Sequence, residues 1–88
     1  MRVEFLKTFY QDLDDINSGA VKARILALIE QVEQLTTLRQ VPNLKKLSGF
    51  QTAYRIRVGD YRVGIFVQGD LVQFARVKNR KDIYRIFP

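Results

Sequence analysis

The sequence predicts an α+β fold, with helices covering one face of a mainly antiparallel sheet, and three observations carry that expectation. Ala53 to Phe66 reads A-Y-R-I-R-V-G-D-Y-R-V-G-I-F, two strand-like runs joined by Gly59-Asp60, which is a strong hairpin signal. Gly69-Asp70 then turns the chain into a further strand-like run, Leu71 to Lys78. Upstream, Val21, Ile25, Leu28, Ile29, Val32 and Leu35 recur at helical spacing and form one apolar stripe. Such a stripe has to be buried against something, and the hairpin offers an apolar face to receive it.

Taken in order, Arg2 to Leu6 alternates, with Val3 and Phe5 on one side, and reads as a short strand. Thr8 is a candidate cap for a short helix to about Ile16, with Phe9, Leu13 and Ile16 on one face. Asn17-Ser18-Gly19 interrupts the chain, and Ser18 is placed to cap the long helix from Ala20 to about Leu35. Thr36 to Phe50 reads as a connector over the sheet edge, with a turn at Val41-Pro42 and a single helical turn at Leu44-Lys45-Lys46-Leu47.

Two-residue hairpin geometry sets the pairing that follows. Val58 faces Tyr61, Ile56 faces Val63 and Tyr54 faces Ile65, an apolar face; on the other side Arg57 lies opposite Arg62 and Arg55 opposite Gly64. Like charges directly across a ladder destabilise it. The facing arginines are therefore either a solvated basic surface or a site whose missing counter-charge is a phosphate. In the next strand a strict two-residue loop would bury Arg76 opposite Val63. A bulge at Gly69 instead sets Arg76 opposite Gly64 and Lys78 opposite Arg62, and is preferred because an unpaired buried Arg is costly. Leu71, Ala75 and Val77 then point into the core, with Gln73 at its edge. Asn79 to Arg85 reads as too short and polar for a core element, and Tyr84 as either a core aromatic or a functional group.

Composition narrows the chemistry. At 47% hydrophobic and 27% charged, the 88 residues are those of a globular chain with one modest core, residues 1–88 being read as one domain. With no cysteine and no histidine, disulfides, thiolate metal sites and imidazole acid–base catalysis are excluded. No membrane span or signal-peptide pattern is present, so a cytoplasmic protein is expected. Residues 1–38 hold four bases and six acids, a balance of −2, whereas residues 39–88 hold eleven bases and three acids, a balance of +8. A basic half on so small a domain points to nucleic acid or to an acidic protein.

A short strand, two helices, then L-K-K-L-S-G, Y-R-I-R-V-G-D-Y-R-V and a final strand ending N-R-K-D-I-Y-R together resemble the RelE/ParE superfamily of toxin–antitoxin toxins over nearly the whole chain. The resemblance implies a small α+β domain with a concave basic groove opposite the helices. It implies a metal-independent endoribonuclease that cuts mRNA on the ribosome, the ribose 2′-hydroxyl attacking the neighbouring phosphate to leave a cyclic phosphate. No cofactor is implied; the partners are an antitoxin protein, the ribosome and mRNA. Arg57, Arg62, Arg80 and Tyr84 are the candidate catalytic residues. Lys45, Lys46, Arg55, Arg76, Lys78, Lys81 and Arg85 are candidates for nucleic-acid binding. Asn79 stands where many relatives carry His, and Arg55 and Arg57 stand where active members often carry Lys. Since Arg does not readily lose a proton, no general base is evident, Asp82 being the nearby acid. Two alternatives remain: a ParE-like inhibitor of DNA gyrase, and an RNA-binding module without catalysis.

Overall fold

The computed structural model describes residues 1–88. The chain runs β1 (Arg2–Phe5), α1 (Lys7–Asp14), α2 (Gly19–Gln34), a 3₁₀ turn (Leu38–Gln40), β2 (Leu44–Lys46), β3 (Ala53–Val58), β4 (Tyr61–Gln68), β5 (Leu71–Asn79) and α3 (Ile83–Ile86). The five strands form one sheet in the order β1-β5-β4-β3-β2. Only the β1–β5 pair is parallel. No helix is long and apolar enough to cross a membrane.

The expected helix stripe is the core of the molecule. Ile25, Leu28, Ile29 and Val32 of α2 are buried against Ile56, Val58, Val63 and Ile65 of the hairpin, each buried aliphatic contributing about 1.5–3 kcal/mol. Ser18 caps the helix, its Oγ accepting from the Val21 N–H at 3.2 Å. The hairpin pairs Val58 with Tyr61, Ile56 with Val63, Tyr54 with Ile65 and Arg57 with Arg62, as the turn geometry requires.

Four local expectations need correction. Thr8 does not cap α1, which starts after Leu6 without a side-chain cap. The Thr8 hydroxyl instead donates to the Ala75 carbonyl at 2.7 Å. β1 stops at Phe5, opposite Phe74, leaving the edge of β5 open beyond that point. α1 closes it: besides the Thr8 bond, Asp12 Oδ2 accepts from the Val77 N–H at 3.1 Å. These side chains satisfy backbone groups that a sixth strand would otherwise pair.

Leu44 to Lys46 is not a helical turn but a three-residue edge strand paired with β3, Lys45 opposite Arg55. The bulge does not lie at Gly69. Gln68 pairs with Leu71 around a two-residue Gly69-Asp70 loop, and the register shifts between Gly64 and Ile65, where Ala75 is the extra residue. Arg76 still lands opposite Gly64 and Lys78 opposite Arg62, but Val72 and Phe74 join the helix-covered core with Val77, while Leu71 is only half-buried.

Finally, the C-terminal segment is a core element. Ile83 and Phe87 are buried with Leu47, Ala53 and Ala75 in a second cluster on the side of the sheet away from α2. Gly64 makes room for it: a Cβ there would lie 2.6 Å from the Phe87 ring. Tyr84 is not part of that cluster and is 68% exposed.

Candidate nucleic-acid groove

Strand alternation sorts the side chains of β2, β3 and β4. Tyr54, Ile56 and Val58 turn to the helices, which sends Arg55 and Arg57 to the opposite face with Arg62 of β4 and Lys45 of β2. Together with Asn43, Leu44 and Tyr84 these residues line a groove of about 380 Å³ whose lining holds four cations and no carboxylate.

The three arginines are held by neutral groups. Arg57 Nη2 donates to Asn43 Oδ1 at 3.2 Å, and Asn43 sits at a φ of +61°, a left-handed conformation that Asn tolerates better than most residues. Arg62 Nη1 donates to the carbonyls of Gly59 at 2.9 Å and Tyr61 at 3.0 Å. The Arg55 guanidinium stacks on the Tyr84 ring with its carbon 4.5 Å from the centroid, and its Nε is buried without an acceptor. Positive charge is thus gathered and oriented by the fold and left unneutralised, an arrangement suited to an anionic ligand.

The remaining candidates divide. Lys46 follows Lys45 but pairs with Tyr54, so it falls on the other face and does not line the groove. Arg80 does not line it either; its backbone N–H donates to the Asp60 carbonyl at 2.8 Å, placing it beside the hairpin turn that Arg62 also grips. Lys81 is exposed in the turn after β5. Arg85 is paired with Asp82 at 2.8 Å, so the acid nearest in sequence to the late arginine is engaged outside the groove. Arg76 and Lys78 were expected to contact nucleic acid, yet both are engaged by Asp12. Arg76 Nε donates to Oδ2 at 2.7 Å and Nη2 to Oδ1 at 3.0 Å, while Lys78 Nζ lies 3.4 Å from Oδ1. The hydrogen bonds to Asp12 raise the Arg76 pKa above the usual guanidinium value, against the opposing effect of burial.

Sequence reasoning overlooked Asn43 and Asp12. Pro42-Asn43 is a turn-forming pair whose Asn points to a left-handed backbone. Asp12 falls three residues after Phe9 and four before Ile16, an acid on the apolar face of its helix.

Comparison with known proteins bears on the family and the fold. Residues 3–84 match the family model described as the ParE toxin of the type II toxin–antitoxin system parDE. The chain is 44% identical to Toxin RelE3 of Methanocaldococcus jannaschii over the whole of both sequences. It superposes on a chain of the crystal structure of a RelB–RelE antitoxin–toxin complex from Methanococcus jannaschii with a TM-score of 0.83, at 42% identity, covering 97% of this chain and 99% of that one. A chain of the archaeal RelE–RelB complex from Pyrococcus horikoshii OT3 gives 0.74 at 27% identity, covering 92% and 96%.

Proposed function

The chain belongs to the RelE/ParE superfamily of toxins of type II toxin–antitoxin systems, and on that premise we propose that it is a ribosome-dependent mRNA endonuclease, acting in the cytoplasm and neutralised by an antitoxin protein. The observation that carries this reading is the Arg57–Arg62 pair, two like charges facing across a ladder with neutral oxygens as their only partners, in a groove that also holds an exposed tyrosine. A phosphate between them relieves their repulsion. The reaction is attack by a ribose 2′-hydroxyl on the adjacent phosphorus, its proton passing to solvent, and departure of the 5′-oxygen with a proton from Tyr84 or solvent, giving a 2′,3′-cyclic phosphate and a 5′-hydroxyl. Negative charge grows on the non-bridging oxygens, so cations fixed beforehand stabilise the transition state more than the ground state. Arg57 and Arg62 take that role, with Arg80 joining from the turn at the same end of the sheet. Tyr84 acts on the leaving oxygen as an acid or stacks on a base.

Arg55, held against Tyr84, positions the ring. None of the groove arginines is a practical proton acceptor, so alignment of the 2′-hydroxyl falls to the ribosome's own RNA. Lys45 supplies a phosphate contact in the groove and Lys81 one on its flank. Primer extension on mRNA from cells pulsed with the protein tests the proposal: new cuts within translated regions support it. The match to a family model described as a ParE toxin motivates a second reading, inhibition of DNA gyrase. An SOS response without new cuts would replace the first reading with that one.

A further inference from the structure

The Arg55–Tyr84 stack is a partition. On one side lies the cationic groove; on the other is a second cavity of about 410 Å³ that shares Lys45, Arg55 and Tyr84 and adds an apolar wall from Leu47, Phe50 and Phe87. Phe50 is the unexplained part. It is 49% exposed and packs against neither hydrophobic cluster. Its backbone is nonetheless fixed, its N–H donating to the Leu47 carbonyl at 3.3 Å across a turn in which Gly49 takes a φ of +84°. A tight turn thus presents a flat ring to solvent beside two cations, and no Asp or Glu side chain lines this cavity.

The wall suits a ligand with a planar apolar body and an anionic group at one edge. A nucleotide has that shape, and its base can stack on any aromatic face whatever the base. We propose that this second cavity is a nucleobase subsite, in which Phe50 stacks on the base of a nucleotide adjoining the one whose phosphate Arg57 and Arg62 hold, with Lys45 contacting the phosphate between. The inference rests on the RNA-binding reading above and deepens it. Phe50 then acts in binding and in placing the strand, and the bond cleaved lies on the far side of the Arg55–Tyr84 partition.

The chain has no tryptophan, so Phe50→Trp introduces a single reporter at the site. Wild-type and variant proteins are titrated at low salt with a dye-labelled short oligoribonucleotide, and with the same backbone carrying abasic sugars, following anisotropy of the dye and tryptophan emission together. The subsite predicts quenching by the base-bearing strand and little by the abasic one. It also predicts that Phe50→Leu, which keeps an apolar side chain at an exposed position, weakens the base-bearing strand by about five- to 150-fold, the usual range for one base–aromatic stack, and leaves the abasic strand unchanged. If RNA binds by anisotropy while the tryptophan stays silent, the subsite is overturned and RNA binding stands. If neither strand binds even at low salt, the subsite is overturned, while the ribosome-dependent reading on which it rests is decided separately by the primer-extension cuts.

Discussion

Asp12 of α1 and Arg76 of β5 meet through two parallel N–H···O bonds, and the same carboxylate accepts from the Val77 N–H and neutralises Lys78. One buried acid therefore closes the open edge of β5 and withdraws two of the basic residues from the groove face. Removing it should be expensive. Asp12→Ala leaves a backbone N–H and two cations without their acceptor. We expect a loss of about 2–3 kcal/mol in a denaturant melt, below the roughly 3–5 kcal/mol of a fully buried pair because Arg76 and Lys78 can turn towards water. Arg76 has a raised pKa when folded. Its share of the stability is therefore present below the unfolded value and lost only as pH rises through the folded one, so it adds no pH dependence across the neutral range.

The two faces of the hairpin should respond in opposite ways. Ile56 is 1% exposed beneath α2, and Ile56→Asp puts a charge where water cannot follow, which should unfold the domain in a circular-dichroism melt. Arg57→Ala removes only a bond to Asn43 and a repulsive neighbour, so its stability should stay within about 0.5 kcal/mol of the parent. Equal destabilisation by both would mean that the faces are wrongly assigned.

The arginine face was visible in the sequence because a two-residue turn dictates every opposing pair, and the Gly59-Asp60 turn is unambiguous. Arg76 could be placed opposite Gly64 by reasoning about the cost of burying it, but the site of the bulge could not. Ala75 is the extra residue because it fits a small space against Ile83 and Phe87, a contact made by a later segment that reads as polar. The apolar spacing of Ile83 and Phe87 did carry that information; the surrounding charges obscured it. The short strand Leu44–Lys46 is not legible for a related reason, since an edge strand of three residues with two lysines has no periodicity to detect, and its pairing with β3 is purely tertiary. Lys45 and Lys46 are therefore separated onto opposite faces, which no count of basic residues reveals.

Gly64 links the sheet to the groove. Gly64→Ala forces a methyl group into the Phe87 ring, and overpacking of this kind typically costs about 1–3 kcal/mol. The damage should be local. Hydrogen exchange should quicken across residues 83–87, which carry Tyr84, while the Ile25–Val32 stretch of α2 keeps its protection. Uniform loss of protection would show that the second cluster does not act as a separate layer.

Tyr84 can be altered without harming the fold. The residue is 68% exposed, and its contact with Arg55 contributes about 0.5–1 kcal/mol at such a site, so Tyr84→Phe and Tyr84→Ala should melt close to the parent. If the hydroxyl is the acid, Tyr84→Phe should cut more slowly by about 10²–10⁴-fold while binding normally. If the ring only stacks, Tyr84→Phe should be almost silent and Tyr84→Ala inactive. Rapid-quench cleavage of a ribosome-bound message distinguishes the two.

The central claim is that the facing arginines form a phosphate site for RNA cleavage. Its most direct test is single-turnover cleavage of mRNA on programmed ribosomes by the parent protein and by the Arg57→Ala/Arg62→Ala double variant, each first shown by its melt to be folded. The account predicts that the parent cuts to leave a cyclic phosphate, and that the equally stable double variant loses cleavage, with its residual ribosome binding confined to low salt. Cleavage by the double variant at the parent's rate, or none by the parent, would contradict it.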